Sequence, residues 1–473
     1  MESIPVSDWS LNRRPLSAPV TVNLELTTGC NLKCRHCYNF WREDPSEFKE
    51  KFDLNQIDRI IDRIIESNIY HVVLSGGEPM MNFNVLEHAL IRIHDAGLTS
   101  SVNSNLMRID EAKAKRLANA GLDHILTSVY SADVSTNDFM MNKPGALGRV
   151  KKGIDLARNA GIRVSANMVI SEPNNEHVLD TGYLCKEAGI QKLFATRLVP
   201  AVTVDNPTDT ELELTRESAR KALDQLMRVK QEVGLEVGTL ISYPLCFLSD
   251  LNRYQEIVGR GCPSQTGNRM VINADGSVHI CTHEEKAYGN VFEEAISGIF
   301  SRAYKWHDGS YHYEGCTGCP YQMVCSSGCR MAAEAYYGDM AEKDPLYVGY
   351  ENIEVPFYIE LPKVVDNYLS SGGKAYVPER VRFREEPGYS SINVRWANTF
   401  AVPGEVASAL RGFQQEKVSI GYGDLPNRDV LYLLYKDALV LEDTGLQSQL
   451  DAREKTGASV NPYDLPDGFL RLV

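Results

Sequence analysis

The chain predicts an α/β protein: a partial (β/α)6 barrel, then a cysteine-rich domain, then a small α+β unit at the C-terminal end. Three observations lead there. Strand-like apolar runs alternate with amphipathic helix-like runs from residue 21 to about residue 235. Seven of the 11 cysteines lie between residues 240 and 350, a stretch rich in glycine with little helical periodicity until its end. From about residue 376 the pattern becomes strand, strand, helix, and a further helical or strand run.

Residues 1–20 are polar and proline-punctuated and read as a leader. Val22-Asn-Leu-Glu-Leu26 reads as a buried strand. In Leu54–Ile65 the apolar residues recur every three to four positions, which marks an amphipathic helix. Tyr70–Ser75 is the second strand, and further strands fall near 98–103, 123–130, 162–170 and 191–199. Helices fall near 84–95, 110–120, 146–160, 176–188 and 211–233. Asp110 and Glu111 suit a helix's first turn, and Gly97, Gly121, Gly161 and Gly189 suit helix ends. Repeats of roughly 30 residues imply a parallel sheet with right-handed crossovers. Six such units are too few to close an eight-strand barrel, so the barrel over residues 21–235 is open. Residues 236–350 suit a region held by metal ligands rather than by a large apolar core. Residues 351–375 read as a linker, 376–445 as a third unit and 446–473 as a polar tail.

A chain of 473 residues holds two or three domains with real cores. Its net charge of −14 argues against broad binding to a nucleic-acid backbone and would suit a basic peptide. No apolar run reaches the ~18 residues of a transmembrane helix, so no membrane association is expected. The start, Met1-Glu-Ser-Ile-Pro-Val6, lacks the basic and apolar regions of a secretory signal, and a cytoplasmic location is expected. Cysteines in such a chain read as metal or redox ligands rather than disulfides. Cys185, alone on a helix, reads as an inert buried thiol.

The densest chemistry is Cys30-x3-Cys34-x2-Cys37, followed by Tyr38, on the loop after the first strand. Catalytic loops of parallel barrels occupy that end of the strands. Three thiolates on one loop can hold three corners of a cubic iron–sulfur cluster, which leaves the fourth iron open. The alternative is a zinc knuckle, which needs a fourth donor; His36 is adjacent to Cys37 and points differently. After the second strand comes Gly76-Gly77-Glu78-Pro79. The glycine pair lets backbone approach a ligand closely, and Glu78 with exposed backbone can accept hydrogen bonds from an ammonium group. Taken alone, this motif is also compatible with an ordinary βα turn.

Together the two motifs resemble the radical S-adenosylmethionine (SAM) superfamily over about residues 20–210. The resemblance implies that the open iron of a 4Fe-4S cluster binds the amino and carboxylate groups of SAM. Electron transfer would then cleave SAM to methionine and a 5′-deoxyadenosyl radical, which abstracts hydrogen from the substrate. The implied SAM contacts are Tyr38, Gly76, Gly77, Glu78 and Pro79, with Asn103, Asn105, Ser128, Asn167 and Arg197 from the later strands. An internal barrel hydrogen bond is the alternative role for each polar strand residue. Two positions depart from the family: Tyr130 stands where Asp is common, and Met141 stands where an Arg meets the SAM carboxylate. Lys143 and Arg149 are candidate replacements for that Arg.

Cys262-x13-Gly276-x4-Cys281, then Cys316-x2-Cys319-x5-Cys325-x3-Cys329, resembles the SPASM domain over about residues 240–350. The resemblance implies one or two auxiliary iron–sulfur clusters, the first on Cys246, Cys262, Cys281 and Cys329, the second on Cys316, Cys319 and Cys325. The family's last cysteine is replaced by Tyr347 in Asp344-Pro345-Leu346-Tyr347, so Asp339, Glu342, Asp344 and Tyr347 are candidate fourth ligands. From the cysteines alone, a pair of structural zinc sites is the competing reading.

Residues 376–445 resemble the small winged-helix-like domain that binds leader peptides of ribosomal natural products, on the element order and on Phe400-Ala-Val-Pro-Gly404 entering a helix. Such domains add the peptide as a strand to a sheet edge. A dimerisation or capping domain is the alternative. The resemblances imply a peptide maturase that makes an oxidative side-chain cross-link on a precursor peptide, supplied with electrons by a flavodoxin or ferredoxin. Alternatives are dehydrogenation of a protein Ser or Cys, as in sulfatase maturation, or of a small molecule, and, outside enzymes, a zinc-held scaffold. No general base is assigned; His283 and several Asp, Glu and Tyr residues are candidates.

Overall fold

The computed structural model describes residues 16–39, 51–201, 210–258, 261–395, 398–452 and 470–473. Most of the expected leader and the middle of the expected tail lie outside the described residues. Strand β1 (Thr21–Glu25) is buried along its whole length and pairs in parallel with β2 (His71–Ser75). Burial on both faces is what a parallel strand covered by crossover helices requires. Helix α1 (Leu54–Glu66) begins at Asp53, whose carboxylate accepts from Gln56 N while Gln56 caps Asp53 in return. Its Ile57, Ile60, Ile61 and Ile64 fall on one face and are buried.

The alternation continues through α2 (Phe83–Asp95), β3 (Thr99–Asn103), α3 (Glu111–Asn119) and β4 (His124–Ser128). Then follow α4 (Val134–Met141), α5 (Ala146–Asn159), β5 (Arg163–Ile170), α6 (Val178–Glu187), β6 (Lys192–Arg197) and α7 (Arg216–Arg228). Asp110 caps α3 as its position suggests, accepting from Lys113 N at 2.8 Å. Helix α4 is not legible as a helix in the sequence because its eight residues, Val-Ser-Thr-Asn-Asp-Phe-Met-Met, lack an apolar stripe.

The sheet is larger than the six strands expected. β7 (Glu236–Gly238) and β8 (Arg269–Ile272) flank the six and bring the parallel run to β8-β1-β2-β3-β4-β5-β6-β7. β9 (Ser277–His279) and β10 (Gly289–Asn290) extend it antiparallel beyond β8. The cysteine-rich region is therefore built onto the barrel's own sheet. It also has an apolar core: Tyr254, Ile296, Ile299, Phe300 and Trp306 are buried. This corrects the expectation of a region held by ligands alone; the strands are too short and the helices too broken for the core to register as periodicity.

The expected linker is structured. β11 (Ile359–Leu361) leads to a helix at Lys363–Ser370 and β12 (Ala375–Tyr376). β11 pairs with β17 (Leu470–Leu472), and β12 with β16 (Val440–Leu441). β13 (Arg382–Glu386), β14 (Tyr389–Arg395) and β15 (Asn398–Pro403) form an antiparallel sheet followed by helices Gly404–Glu416 and Asn427–Tyr435. This unit closes the N-terminal end of the barrel. Buried Arg384 donates to the carbonyls of Ala18 (2.7 Å), Pro19 (3.1 Å) and Asn68 (3.2 Å) and to Glu386 Oε1 (2.6 Å). Among the described residues, no helix is long and apolar enough to cross a membrane.

Candidate active site and cluster sites

The cysteine loop leaves the top of β1 and is fastened to the turn after β2 by backbone. Gly77 N donates to Thr27 O at 2.7 Å, and Glu78 N to Gly29 O at 2.8 Å. The approach is so close that only glycine fits: a Cβ at Gly77 would stand 2.2 Å from Gly29 O. Gly76 also has φ +126, outside the range of L side chains. The glycine pair thus holds the cysteine loop itself, a role its sequence context did not reveal.

Glu78 has a bracing role that its place in the sequence did not suggest. Its carboxylate is buried and accepts from Met80 N (3.1 Å), Ser104 Oγ (2.7 Å) and Asn105 N (2.8 Å). Burial pushes its pKa up despite these bonds. The side chain ties the β2 turn to the β3 turn while still lining the cavity. Asn105 pairs with Asn31 inside the cysteine loop, donating Nδ2 to Asn31 Oδ1 at 2.9 Å. Pro79 opens a short 3-10 turn, Pro79–Asn82, and does not face the cavity.

A cavity of about 1220 Å³ runs through the barrel. Cys30, Cys34, Cys37 and Tyr38 face it, as do Gly76, Gly77, Glu78, Asn103, Asn105, Ser128, Asn167 and Arg197. Cys30 is exposed, and Cys34 and Cys37 are half-buried. Tyr130, at the position where the family has Asp, lies against these thiols: its pKa rises through burial and then through Cys34, Cys37 and Cys30. His36, the candidate zinc ligand, packs edge-on against Tyr130 with centroids 4.3 Å apart.

Arg197 is corrected more strongly. Its guanidinium is buried and makes a two-pronged pair with Asp344 of the cysteine-rich domain, and it lies over the Tyr243 ring at 5.4 Å. It bridges domains. Asn167 accepts from Thr196 Oγ1 at 2.6 Å, an internal barrel bond. Met141 is buried, and neither Lys143 nor Arg149 lines the cavity. Of the other cavity cations, Arg163, Lys192 and Arg269 begin β5, β6 and β8 and so lie at the opposite end.

The later cysteines fall into two groups. Cys246, Cys316, Cys319 and Cys325 line one small apolar cavity with Tyr347 and Tyr350. The Cys281 thiol is pushed up to about 12 by burial, then by Cys262 and, more weakly, Cys329. The expectation that put Cys246 with Cys262, Cys281 and Cys329 is not what the packing shows. Between the loop and the Cys281 group stand Tyr38 and His283, ring centroids 4.5 Å apart. Burial holds the His283 pKa down to about 4.

The donor set fits clusters better than single ions. A zinc ion draws its thiolates to about 2.3 Å from one centre. Among the described residues no three His, Cys, Asp or Glu side chains stand so that they could hold a single ion. An iron–sulfur cluster spreads its ligands over separate irons, which suits three thiols on one loop and thiols spaced around a pocket.

The profile of the radical SAM superfamily matches residues 24–184, and that of the SPASM iron-sulfur cluster-binding domain matches residues 262–320. The chain is 28% identical over 347 residues to the AdoMet-dependent heme synthase of Methanosarcina barkeri, covering 70% of this chain and 96% of that one. It is 25% identical over 345 residues to the PqqA peptide cyclase of Granulibacter bethesdensis, covering 70% and 87%. Streptococcus suis SuiB bound to its precursor peptide SuiA has the same fold, with TM-score 0.55 and 17% identity over 69% of this chain and 75% of SuiB. So does anSMEcpe with bound AdoMet and a Cp18Cys peptide, with TM-score 0.56 and 17% identity over 71% and 95%. Residues 24–184 therefore carry a radical SAM domain and residues 262–320 a SPASM domain, and the cofactors of these domains are S-adenosylmethionine and iron–sulfur clusters.

Proposed function

We propose that the enzyme abstracts hydrogen from a ribosomally made precursor peptide and closes an oxidative side-chain cross-link. The observation that carries this reading is the sheet β13-β14-β15, whose outer strand β15 pairs on one side only among the described residues. Asn398, Thr399, Phe400 and Ala401 of β15 face the same cavity as the loop thiols. An extended peptide can add to such an edge through its backbone, and pockets then read its side chains. PqqA peptide cyclases among the relatives support a peptide substrate. So does the shared fold with two proteins solved with peptides bound.

In this reading Cys30, Cys34 and Cys37 hold the SAM-binding cluster. Bound together, that cluster and SAM supply a carbon radical able to abstract hydrogen. The chain's own residues do the rest. Gly76 and Gly77 hold the thiol loop against β2, and Glu78 and Asn105 brace it from β3. Tyr130 and Tyr38 exclude water beside the thiols. Tyr38 and His283 lie on the way to the Cys281 group, a short path for the electron that net two-electron oxidation must remove. A flavodoxin- or ferredoxin-type protein supplies the reducing electron.

A second reading is oxidation of a small molecule, favoured by the 28% identity to a heme synthase. That match takes in 70% of this chain, the same share as the peptide cyclase match. Co-expression with a precursor peptide encoded beside the enzyme, read by mass spectrometry, separates the two. Loss of one hydrogen pair from the peptide supports the first reading. An unchanged, unbound peptide together with turnover of a tetrapyrrole would replace it with the second.

A further inference from the structure

We propose that Cys246, Cys316, Cys319 and Cys325 ligate one auxiliary cluster completely, and that Cys262, Cys281 and Cys329 hold another whose fourth iron carries no cysteine. This rests on reading the cysteine groups as cluster sites. The usual sequence pattern implies the reverse allotment, with Cys246 completing the first group.

Cys246 lies on the short helix Leu245–Leu248, about 70 residues before the three cysteines it joins. It shares their cavity. Leu245 N donates to Cys325 Sγ at 3.4 Å, which fixes the helix against that group. The backbone N–H groups of Val348 and Gly349 lie near the Cys246 thiol. Those are the two residues after Tyr347, where the sequence has tyrosine in place of the expected last cysteine. The thiol from one segment therefore occupies the corner that the other segment has lost. Tyr347 has turned its hydroxyl to Gly315 O at 2.8 Å.

The other candidate ligands are engaged elsewhere. Asp344 accepts from Arg197 on both oxygens, from Cys329 N at 2.8 Å and from Leu346 N at 2.9 Å. Asp339 accepts from Ala341 N at 2.8 Å, and neither it nor Glu342 lines the thiol cavity. All 11 cysteines are among the described residues. The loop takes three, the Cys246 group four, and Cys185 is buried alone on α6, its pKa raised by burial with no cysteine beside it. Three remain for the Cys281 group. The Leu245 N–H on the Cys325 sulfur is the kind of bond that stabilises the negative charge of a ligating thiolate.

The test uses the full chain with Cys30, Cys34 and Cys37 changed to Ala, reconstituted with iron and sulfide without oxygen. Two backgrounds follow: Cys262→Ala/Cys281→Ala, which keeps the four-thiol group, and Cys316→Ala/Cys319→Ala, which keeps the three-thiol group. Cys246→Ser should shift the electron paramagnetic resonance spectrum or release about four irons in the first background. It should leave the second unchanged. Cyanide added to the reduced proteins should shift the spectrum of the second background and not the first. The reverse pattern for Cys246→Ser, or no cyanide shift in the three-thiol background, overturns the assignment. Absence of iron in both backgrounds, with folding intact by circular dichroism, overturns the cluster reading beneath it.

Discussion

The two ends of the barrel are held in opposite ways. At the C-terminal end the fastening is backbone on backbone: Gly77 N on Thr27 O and Glu78 N on Gly29 O, with side chains kept short. At the N-terminal end it is made by long charged side chains from another unit: Arg384 donates to buried carbonyls, and Glu386 accepts from Arg384 and from Ser17 N. Backbone fastening leaves side chains free to point into the cavity, and there the thiols point. Side-chain fastening fills space and closes the end. The end that carries chemistry spends glycine for access, and the end that carries none uses a buried ion pair for closure.

Four experiments would break or sharpen that contrast. The largest effect is expected from Cys30→Ala/Cys34→Ala/Cys37→Ala, which should abolish 5′-deoxyadenosine formation while leaving the melting temperature nearly unchanged. Persistent SAM cleavage, read by chromatography, would sink the assignment of the loop. Next is Gly77→Ala. A methyl group 2.2 Å from Gly29 O must push the loop off the β2 turn, so SAM affinity should fall more than tenfold with the N-terminal end intact. Calorimetric titration with SAM checks it, and wild-type affinity would show that the glycine apposition is dispensable.

At the other end, Arg384→Met leaves Glu386 buried without its cationic partner and three carbonyls without the Arg384 donor. Both members of the pair are almost wholly buried, at 6% and 0% side-chain exposure. Breaking such a pair costs about 3 kcal/mol, to be read in denaturant unfolding. SAM cleavage without substrate should persist in this variant; its loss would mean that the two ends are coupled.

The smallest effect concerns pH. His71 begins β2 and is held between Thr99 Oγ1 (2.9 Å) and Ser101 Oγ (3.1 Å). Burial lowers its pKa from 6.5 to about 4, with a smaller push from His124. The unfolded chain therefore takes up a proton near pH 6.5 that the folded chain refuses. Stability is full above that pH and is lost as the pH falls toward 4, by about 2 kcal/mol at pH 5. His71→Gln should flatten the fall in melting temperature between pH 7 and pH 5. An unchanged slope would remove His71 as its source.

The legible part of the site was what is local. Cys30, Cys34 and Cys37 sit within one loop, and Gly76 to Pro79 within one turn, so spacing along the chain carries their chemistry. The strands of the six βα units read correctly because each buries two faces and each helix has one apolar stripe. Arg197 read only in part. Its place at the end of a strand says that it reaches the barrel mouth, yet its partner Asp344 lies 147 residues away. The bracing role of Glu78 was hidden as well, because its donors Ser104 and Asn105 come from a different turn. The strands β7 to β10 escaped notice because two to four residues leave no period to count.

By itself the sequence determined that this protein holds a three-thiol loop at a barrel mouth, a cysteine-rich extension and a third unit of mixed structure. Those properties depend on residue type and short spacing. Only the tertiary structure decided which thiols meet. Cys246 shares one cavity with Cys316, Cys319 and Cys325, and Leu245 beside it donates its N–H to the Cys325 sulfur, a contact between segments 80 residues apart. It also decided that the third unit seals the barrel's far end, since Arg384 finds its carbonyl partners only when the sheet is built. Ligand sets and closures of this kind are made by distance in space, which chain spacing does not encode.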